Sequence, residues 1–144
     1  MNQNQTLQNA LLLLRLGVFI VFFMWTIDKF LNPGHAAAVF AKYYLFSGLS
    51  ETIAYIIGAL QMVIVLMFVL GIKKQFSYGF ILLMHLVSTL STYEKYFDPW
   101  SSPNLLFFAA WPMLAACAAL YLLRDEDTKW TICLLYTSPS PRDS

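Results

Sequence analysis

The sequence predicts an all-α protein that crosses a membrane four times as a four-helix transmembrane bundle. Its 144 residues are 59% hydrophobic and only 12% charged, and the mean hydropathy is +0.62. A soluble domain carries about 25% charged residues, so this chain lacks the charge that a water-facing surface needs. The net charge of +1 also provides no basic surface for nucleic acid. The composition therefore excludes a soluble globule, a disordered chain and a nucleic-acid-binding protein, and it makes the lipid bilayer the predicted surroundings.

Four apolar runs are each long enough to span a bilayer. A hydrocarbon core about 30 Å thick needs roughly 20 apolar residues in helical form. Backbone N–H groups in lipid must be paired within the segment, so these runs should be helices. Residues 1–9 then form a short leader, and residues 10–132 form one membrane domain, in which Pro112 should kink the last helix. The predicted spans are residues 10–27, 53–72, 76–93 and 105–123.

Two further segments of the chain carry expectations of their own. The connection between Lys29 and Thr52 should form a short helix that lies on the outer surface or caps the bundle, because its alanines and aromatic residues have helical composition. Residues 133–144 read CLLYTSPSPRDS and match the in-frame translation of a transposase-based sequencing adapter. We therefore expect this segment to be a non-native tail and exclude it from the predicted fold.

The distribution of Lys and Arg predicts the orientation in the membrane. Short cytoplasmic loops carry an excess of these residues. With the N-terminus inside, the inner side holds five of them and the outer side three, and the short turn at Lys73-Lys74 is the strongest local signal. Both termini should therefore be cytoplasmic. The inner set is Arg15, Lys73, Lys74, Arg124 and Lys129, and the outer set is Lys29, Lys42 and Lys95.

Two predicted outer helix ends resemble each other in sequence. The segment TIDKFLNP begins at Thr26, and TYEKYFDP begins 66 residues later at Thr92. One interpretation is a duplication, with two parallel helical hairpins related by an axis along the membrane normal. The other is convergence, because outward helix ends commonly carry aromatic anchors, charges and a proline. Under duplication, two acid–base pairs form a charge cluster at the outer mouth: Asp28, Lys29, Glu94 and Lys95.

Three polar side chains lie at membrane depth and form the candidate binding layer: Arg15, Gln61 and His85. With a rise of about 1.5 Å per residue, they lie roughly 7, 16 and 13 Å from the cytoplasmic ends of their spans. Intramembrane polar residues usually face the bundle interior and mark functional sites. The alternatives are a structural hydrogen bond between Gln61 and His85, and an Arg15 that reaches the inner headgroups. A single His in its span is insufficient for a metal site.

The chain resembles the DoxX and DoxX-like family over about residues 10–125. The resemblance rests on Arg15-Leu16-Gly17, Asp28-Lys29-Phe30, and Gly58-Ala59-Leu60-Gln61 followed by Leu70-Gly71 and a basic turn. It implies a bacterial inner-membrane four-helix bundle, and some family members are linked to quinone-dependent oxidation or membrane oxidoreductase complexes. Members often carry an acidic residue where this chain has Gln61, so a proton relay at that position is not implied here.

Three functions are compatible with these observations. The first is an accessory subunit of a membrane redox system, in which the polar layer binds a quinone and a partner oxidoreductase subunit lies alongside. The second is permeation of a small solute through the polar layer and the outer mouth. The third is a structural assembly module without a site of its own. The residues define neither a reaction nor an oligomeric state.

Overall fold

The computed structural model describes residues 2–32, 51–102 and 104–132, together with residues 34, 35, 38, 41 and 42. All regular secondary structure in these residues is helical. The surface helix predicted between Lys29 and Thr52 falls largely outside the described residues, and the predicted tail at 133–144 falls wholly outside them. The elements are α1 (Gln3–Leu31), α2 (Glu51–Leu70), α3 (Lys74–Ser91), α4 (Tyr93–Phe97), a 3-10 helix (Asn104–Ala109) and α5 (Ala110–Leu122).

Three of the described helical segments are long and apolar enough to cross a membrane, namely Gln3–Leu31, Thr52–Leu70 and Asn104–Leu122. The predicted all-helical class and a membrane protein with several apolar helices are thereby confirmed. Helix α3 lies where the third span is predicted, but it is not among the three. Its polar residues, such as Lys74, Gln75 and His85, make it less apolar than a lipid-exposed span.

Helix α1 begins at Gln3, within the predicted leader, because the first turn is capped. Asn2 Oδ1 accepts a hydrogen bond from the Gln5 backbone N–H at 2.8 Å. In return, Gln5 Oε1 accepts one from the Asn2 backbone N–H at 3.2 Å. This reciprocal arrangement satisfies N–H groups that have no partner within a helix, and it extends α1 beyond the apolar run.

The long helices pack around a continuous core. Helix α1 contacts α2 and α5, and α3 contacts the same two helices from the other side. The buried positions of α3 follow the spacing of one helix face, from Tyr78 through Ile81 and His85 to Thr89. The core cluster consists of Leu11, Val18, Phe22, Val65, Phe68, Tyr78, Ile81, Cys117 and Leu120.

Pro112 lies at a change of helix type. The backbone is 3-10 from Asn104 to Ala109 and becomes α-helical at Ala110. Pro112 is then the third residue of α5, and the first turn of an α-helix tolerates a proline because its N–H groups have no intrahelical partner. The irregularity predicted at Pro112 is therefore found just before it, as a 3-10 segment.

The last described residues fold back over one end of the helices. We call residues 123–132 the C-terminal strap. The Ile132 backbone N–H donates to the Leu70 carbonyl at 2.7 Å, which ties the strap to the turn between α2 and α3. In that turn Gly71 has φ +70°, and a Cβ placed on it would lie 2.5 Å from Thr131 Cγ2. Glycine is thus required both by the backbone conformation and by the close approach of the strap.

Candidate functional site

A cavity of about 810 Å³, here called the vestibule, lies between α1, α2 and α3 at the end where α1 finishes. Its size is within the range of small-molecule sites, and aromatic and aliphatic walls surround a few polar groups. Both Gln61 and His85 of the predicted polar layer line it. The described lining is Phe22, Trp25, Thr26, Asp28, Lys29, His35, Ala38, Lys42, Gln61, Leu83, Met84, His85, Val87, Ser88, Thr92 and Phe107.

His85 is the central polar group of the vestibule. It is 1% exposed, and its Nε2 is 2.9 Å from the Ala110 carbonyl oxygen, to which it donates. Its Nδ1 has no partner among the described residues. When Nε2 carries the proton, a neutral imidazole presents a lone pair at Nδ1, so this atom is an acceptor without a donor. A buried polar atom of this kind favours a ligand that supplies the missing hydrogen bond.

Aromatic rings hold His85 in place. Its ring stacks on Trp25 with centroids 6.2 Å apart and an angle of 26°. Phe22 meets it edge-on, with centroids 6.1 Å apart and an angle of 72°. Since both aromatic residues also line the vestibule, a flat ligand ring has π surfaces available beside the imidazole.

Gln61 lies on the α2 wall of the vestibule. Its amide nitrogen donates to Met84 Sδ at 3.5 Å, which is a weak hydrogen bond because a thioether sulfur is a poor acceptor. The structure shows no hydrogen bond between Gln61 and His85 within the described part of the chain. The two residues therefore share a cavity without pairing, and the Gln61 amide can contact a ligand.

The mouth of the vestibule is charged. Asp28 and Lys29 of α1 line it together with His35 and Lys42, and Asp28 Oδ2 lies 2.6 Å from His35 Nδ1. Of the predicted outer-mouth cluster, the structure therefore brings Asp28 and Lys29 to the cavity. Glu94 and Lys95 lie on α4 and are not among the lining residues, and Lys95 Nζ lies 5.6 Å from the centre of the Phe107 ring.

The two segments that resemble each other place a threonine on the vestibule wall in the same way. Thr26 Oγ1 donates to the Phe22 carbonyl at 2.7 Å, and Thr92 Oγ1 donates to the Ser88 carbonyl at 3.3 Å. Each hydroxyl thus bonds one turn back along its own helix end. Both threonines are buried. The prolines that close the two segments cannot be compared, because Pro33 lies outside the described residues.

A second cavity of about 710 Å³, here called the groove, lies between α1 and α5. Its walls are mostly apolar. Five residues line both cavities, so the groove and the vestibule are adjacent. The groove is lined by Leu13, Leu14, Gly17, Val18, Val21, Trp25, His85, Ser88, Thr92, Leu106, Phe107, Ala109, Ala110, Pro112, Met113 and Ala116.

Arg15, the third member of the predicted layer, lies in a different cluster. Its Nη1 lies 2.6 Å from Asp127 Oδ1, and the two side chains are 1% and 0% exposed. The Tyr78 hydroxyl donates to the other carboxylate oxygen at 2.5 Å. Three elements, α1, α3 and the C-terminal strap, thus meet at one buried carboxylate.

The same cluster binds the backbone of the strap. Arg15 Nη2 donates to the carbonyls of Lys129 and Trp130 at 2.5 and 3.2 Å, and Lys74 Nζ donates to the Asp127 carbonyl at 2.6 Å. These charge-assisted hydrogen bonds are stronger than neutral ones. They close the end of the helices opposite the vestibule mouth.

Sequence reasoning identified Arg15 but missed its partners Asp127 and Tyr78. A usable signal was present, because the acidic run Asp125-Glu126-Asp127 follows the last predicted span on the same side as Arg15. A buried arginine requires an anion, and this run is the nearest source of one. No such signal marks Tyr78, since its distance from Asp127 depends on how α3 packs against the strap.

The described residues define a small all-helical membrane protein with a ligand-sized cavity between its helices. The family model described as methylamine utilisation protein MauE matches residues 7–98, and the chain belongs to this family. The family is one of membrane proteins linked to methylamine utilisation, a redox-related system. It is related in kind to the DoxX-like family that the short motifs resemble, but it is a different family. No curated protein and no solved structure matches the chain.

Proposed function

We propose that this protein is an accessory membrane subunit of a redox system, with a vestibule that binds the ring of a quinol. The redox setting is supported by membership of the methylamine utilisation family. The ligand class is supported by one observation above the others, the buried Nδ1 of His85 without a donor in an aromatic cavity. The partner would be an oxidoreductase subunit in or at the same membrane.

The proposal includes four crossings of a bacterial inner membrane with both termini in the cytoplasm. Helix α3 would be the third crossing, and the burial of its polar residues supports this. Ser77, Tyr78, His85 and Thr89 all lie inside the protein, so they do not face lipid despite lowering the hydropathy of the helix. The excess of Lys and Arg at the Lys73 end supports the orientation.

The vestibule residues fit a quinol ring. The aromatic faces of Trp25 and Phe22 suit a flat ring, and the Gln61 amide can donate or accept a hydrogen bond. His85 Nδ1 accepts, so it suits a hydroxyl donor better than a carbonyl acceptor. The reduced form of the ring is therefore the one that this site should prefer. A bound quinol supplies electrons and protons to a redox partner.

The chain's own residues would orient the ring and receive a proton. The Ala110 carbonyl fixes the proton of His85 on Nε2, which leaves Nδ1 ready to accept one. Asp28 and His35, paired at the vestibule mouth, are titratable groups of the same cavity. These groups give a proton taken up at His85 an exit at the Asp28 end.

The closed end near Asp127 supports binding rather than permeation. A solute passing through would have to displace Arg15 from a fully buried carboxylate and lift the strap. A permeation path needs an opening at both ends, and the Arg15–Asp127 pair and the strap cover this one.

The test uses quinol binding by protein in lipid nanodiscs under anaerobic conditions. A tailless, water-soluble quinol is titrated against the wild type and against the variants Gln61→Leu and His85→Phe. The matched control is Gln75→Leu, because the Gln75 side chain is exposed at the opposite end of the helices. We expect saturable binding that Gln61→Leu and His85→Phe each weaken by about tenfold, since losing a buried hydrogen bond costs about 1–3 kcal/mol. Binding to the control should equal that of the wild type.

Two results would contradict the proposal. One is an absence of saturable binding to the wild type. The other is equal binding by wild type, Gln61→Leu and His85→Phe, which would mean that the quinol binds outside the vestibule. Binding of the oxidised ring serves as an internal comparison, and it should be weaker because a quinone has no hydroxyl to donate to His85.

A further inference from the structure

The groove and the vestibule meet at His85. Both cavities are lined by Trp25, His85, Ser88, Thr92 and Phe107, although the groove lies between α1 and α5 and the vestibule between α1, α2 and α3. Their chemistry differs: the vestibule carries charged residues at its mouth, whereas the groove walls are nearly all apolar. A cavity with a charged mouth and a nearly all-apolar cavity thus share a wall that includes His85, whose Nδ1 has no partner among the described residues.

We propose that the two cavities form one bipartite site for an amphiphilic ligand that enters sideways from the lipid between α1 and α5. The polar ring lies at His85 and the flexible hydrocarbon tail lies in the groove. This inference rests on the proposed binding of a quinol ring and assigns a place to the tail that membrane quinols carry. It adds the apolar groove residues of α1 and α5 to the site.

The packing of α1 against α5 supports an entry at this place. Among the four helix pairs that enclose the core, α1 and α5 are the least extensively packed. Small residues line the gap between them: Gly17 on α1, Ala109 at the end of the 3-10 helix, and Ala116 on α5. A Cβ placed on Gly17 meets no atom within 4 Å, so space remains in front of that helix.

The chemistry of the walls matches a hydrocarbon chain. The groove is framed by Leu14, Val18 and Val21 on one side and by Met113 on the other. Methionine and branched aliphatic side chains adapt to a flexible chain without requiring hydrogen bonds. A head group with a hydroxyl would be left unpaired at the aliphatic walls of the groove but finds an acceptor at His85, which fixes the direction of the ligand.

The experiment compares ligands with and without a tail, using full-length protein in nanodiscs. The probes are the tailless quinol and a long-chain quinol that carries a photoreactive diazirine at mid-tail. The variant Gly17→Phe fills the groove, and Ala59→Phe is the matched control, since Ala59 is exposed on α2 and lines neither cavity. Ala109→Phe serves as a second groove-filling variant, placed on another element.

We expect the diazirine probe to label α1 and α5 residues of the groove in wild type and in Ala59→Phe. Gly17→Phe and Ala109→Phe should each reduce this labelling at least tenfold and leave binding of the tailless quinol unchanged. Excess unlabelled long-chain quinol should compete for the label, whereas excess phospholipid should not.

The outcomes separate this inference from the proposed function. If the tailless quinol binds but labelling falls on α2, or survives in both groove-filling variants, the groove does not hold the tail and the inference is wrong. Equal competition by phospholipid would also overturn it, because the groove would then be ordinary lipid-facing surface. If neither probe binds the wild type, the proposed function itself fails.

Discussion

Arg15 and Asp127 form a buried ion pair. Both side chains are fully buried, and the carboxylate also accepts a hydrogen bond from Tyr78. The attraction within a buried ion pair offsets the free energy of desolvating both charges only if the remaining polar atoms of the pair also form hydrogen bonds. Here the guanidinium donates to two strap carbonyls, although its Nε has no partner among the residues that the structure describes. The pair therefore serves mainly to fix the position of the strap.

Removing the carboxylate should destabilise the protein strongly. Asp127→Ala leaves the Arg15 charge buried without a partner, which costs about 3–5 kcal/mol of unfolding free energy. The neighbouring Asp125→Ala is the control, because Asp125 is exposed and a surface change of this kind usually stays within about 0.5 kcal/mol. Thermal unfolding of the purified protein in one detergent measures both variants.

The double variant Arg15→Met, Asp127→Leu tests the reason for this loss. Replacing a whole buried ion pair by apolar residues is often neutral, so the double variant should recover most of the stability. If it is as unstable as Asp127→Ala, the loss comes from disturbed packing of the strap and not from the unpaired charge.

At the scale of single residues, the depth of a polar residue in its span predicted where the residue lies, but it did not predict the hydrogen-bond partner. Gln61 and His85 lie in one cavity, as expected for polar groups at similar depth in neighbouring spans. Their separate partners, the Met84 sulfur and the Ala110 carbonyl, depend on rotamers and on where the 3-10 segment gives way to α5. Hydropathy does not contain that information, so the hydrogen bonds could not be read from the sequence.

At the scale of elements, the turn between α2 and α3 contacts the strap and helps to hold it against the helix ends. Gly71 has a positive φ, and the strap passes so close that Thr131 would collide with a Cβ. We expect Gly71→Ala to release residues 123–132 from the helix ends, because both the backbone strain and the clash oppose the closed arrangement. Limited proteolysis in detergent, read by mass spectrometry, should show new cleavage within the strap.

Gly17→Ala provides the control for this prediction. It adds the same methyl group at a helical position where nothing lies within 4 Å. Alanine is also the better helix former by about 1 kcal/mol. The strap should remain protected in this variant. Equal protection of the strap in Gly71→Ala would mean that the turn does not hold it.

The helices agree with the predicted spans in position, whereas the start of α1 and the strap were not predicted. Each predicted span corresponds to a helical segment of the structure, because a long apolar run in lipid has few other options. The start of α1 depended on the cap formed by Asn2 and Gln5, which lies outside the apolar run. The strap follows the last span and contains few apolar residues, so hydropathy gave no indication of its path.

At the scale of the whole molecule, the described residues are arranged differently at the two ends of the helices. The strap and its buried ion pair close the Lys74 end, and the vestibule, which His85 lines, extends toward the Asp28 end. The all-helical class could be predicted because composition alone required a lipid-facing surface. The asymmetry of the two ends could not, since it results from contacts between residues more than 100 positions apart in the sequence.

Cysteine accessibility tests this asymmetry most directly. Both cysteines are first replaced by alanine, and single cysteines are then placed at Gln75, Ser101 and His85. A small membrane-impermeant thiol reagent is added to right-side-out and to inverted membrane vesicles. Four crossings and a one-ended cavity predict that His85→Cys and Ser101→Cys react from one face and Gln75→Cys only from the other. Labelling of His85→Cys from the Gln75 face, or of Gln75→Cys and Ser101→Cys from the same face, would contradict the account.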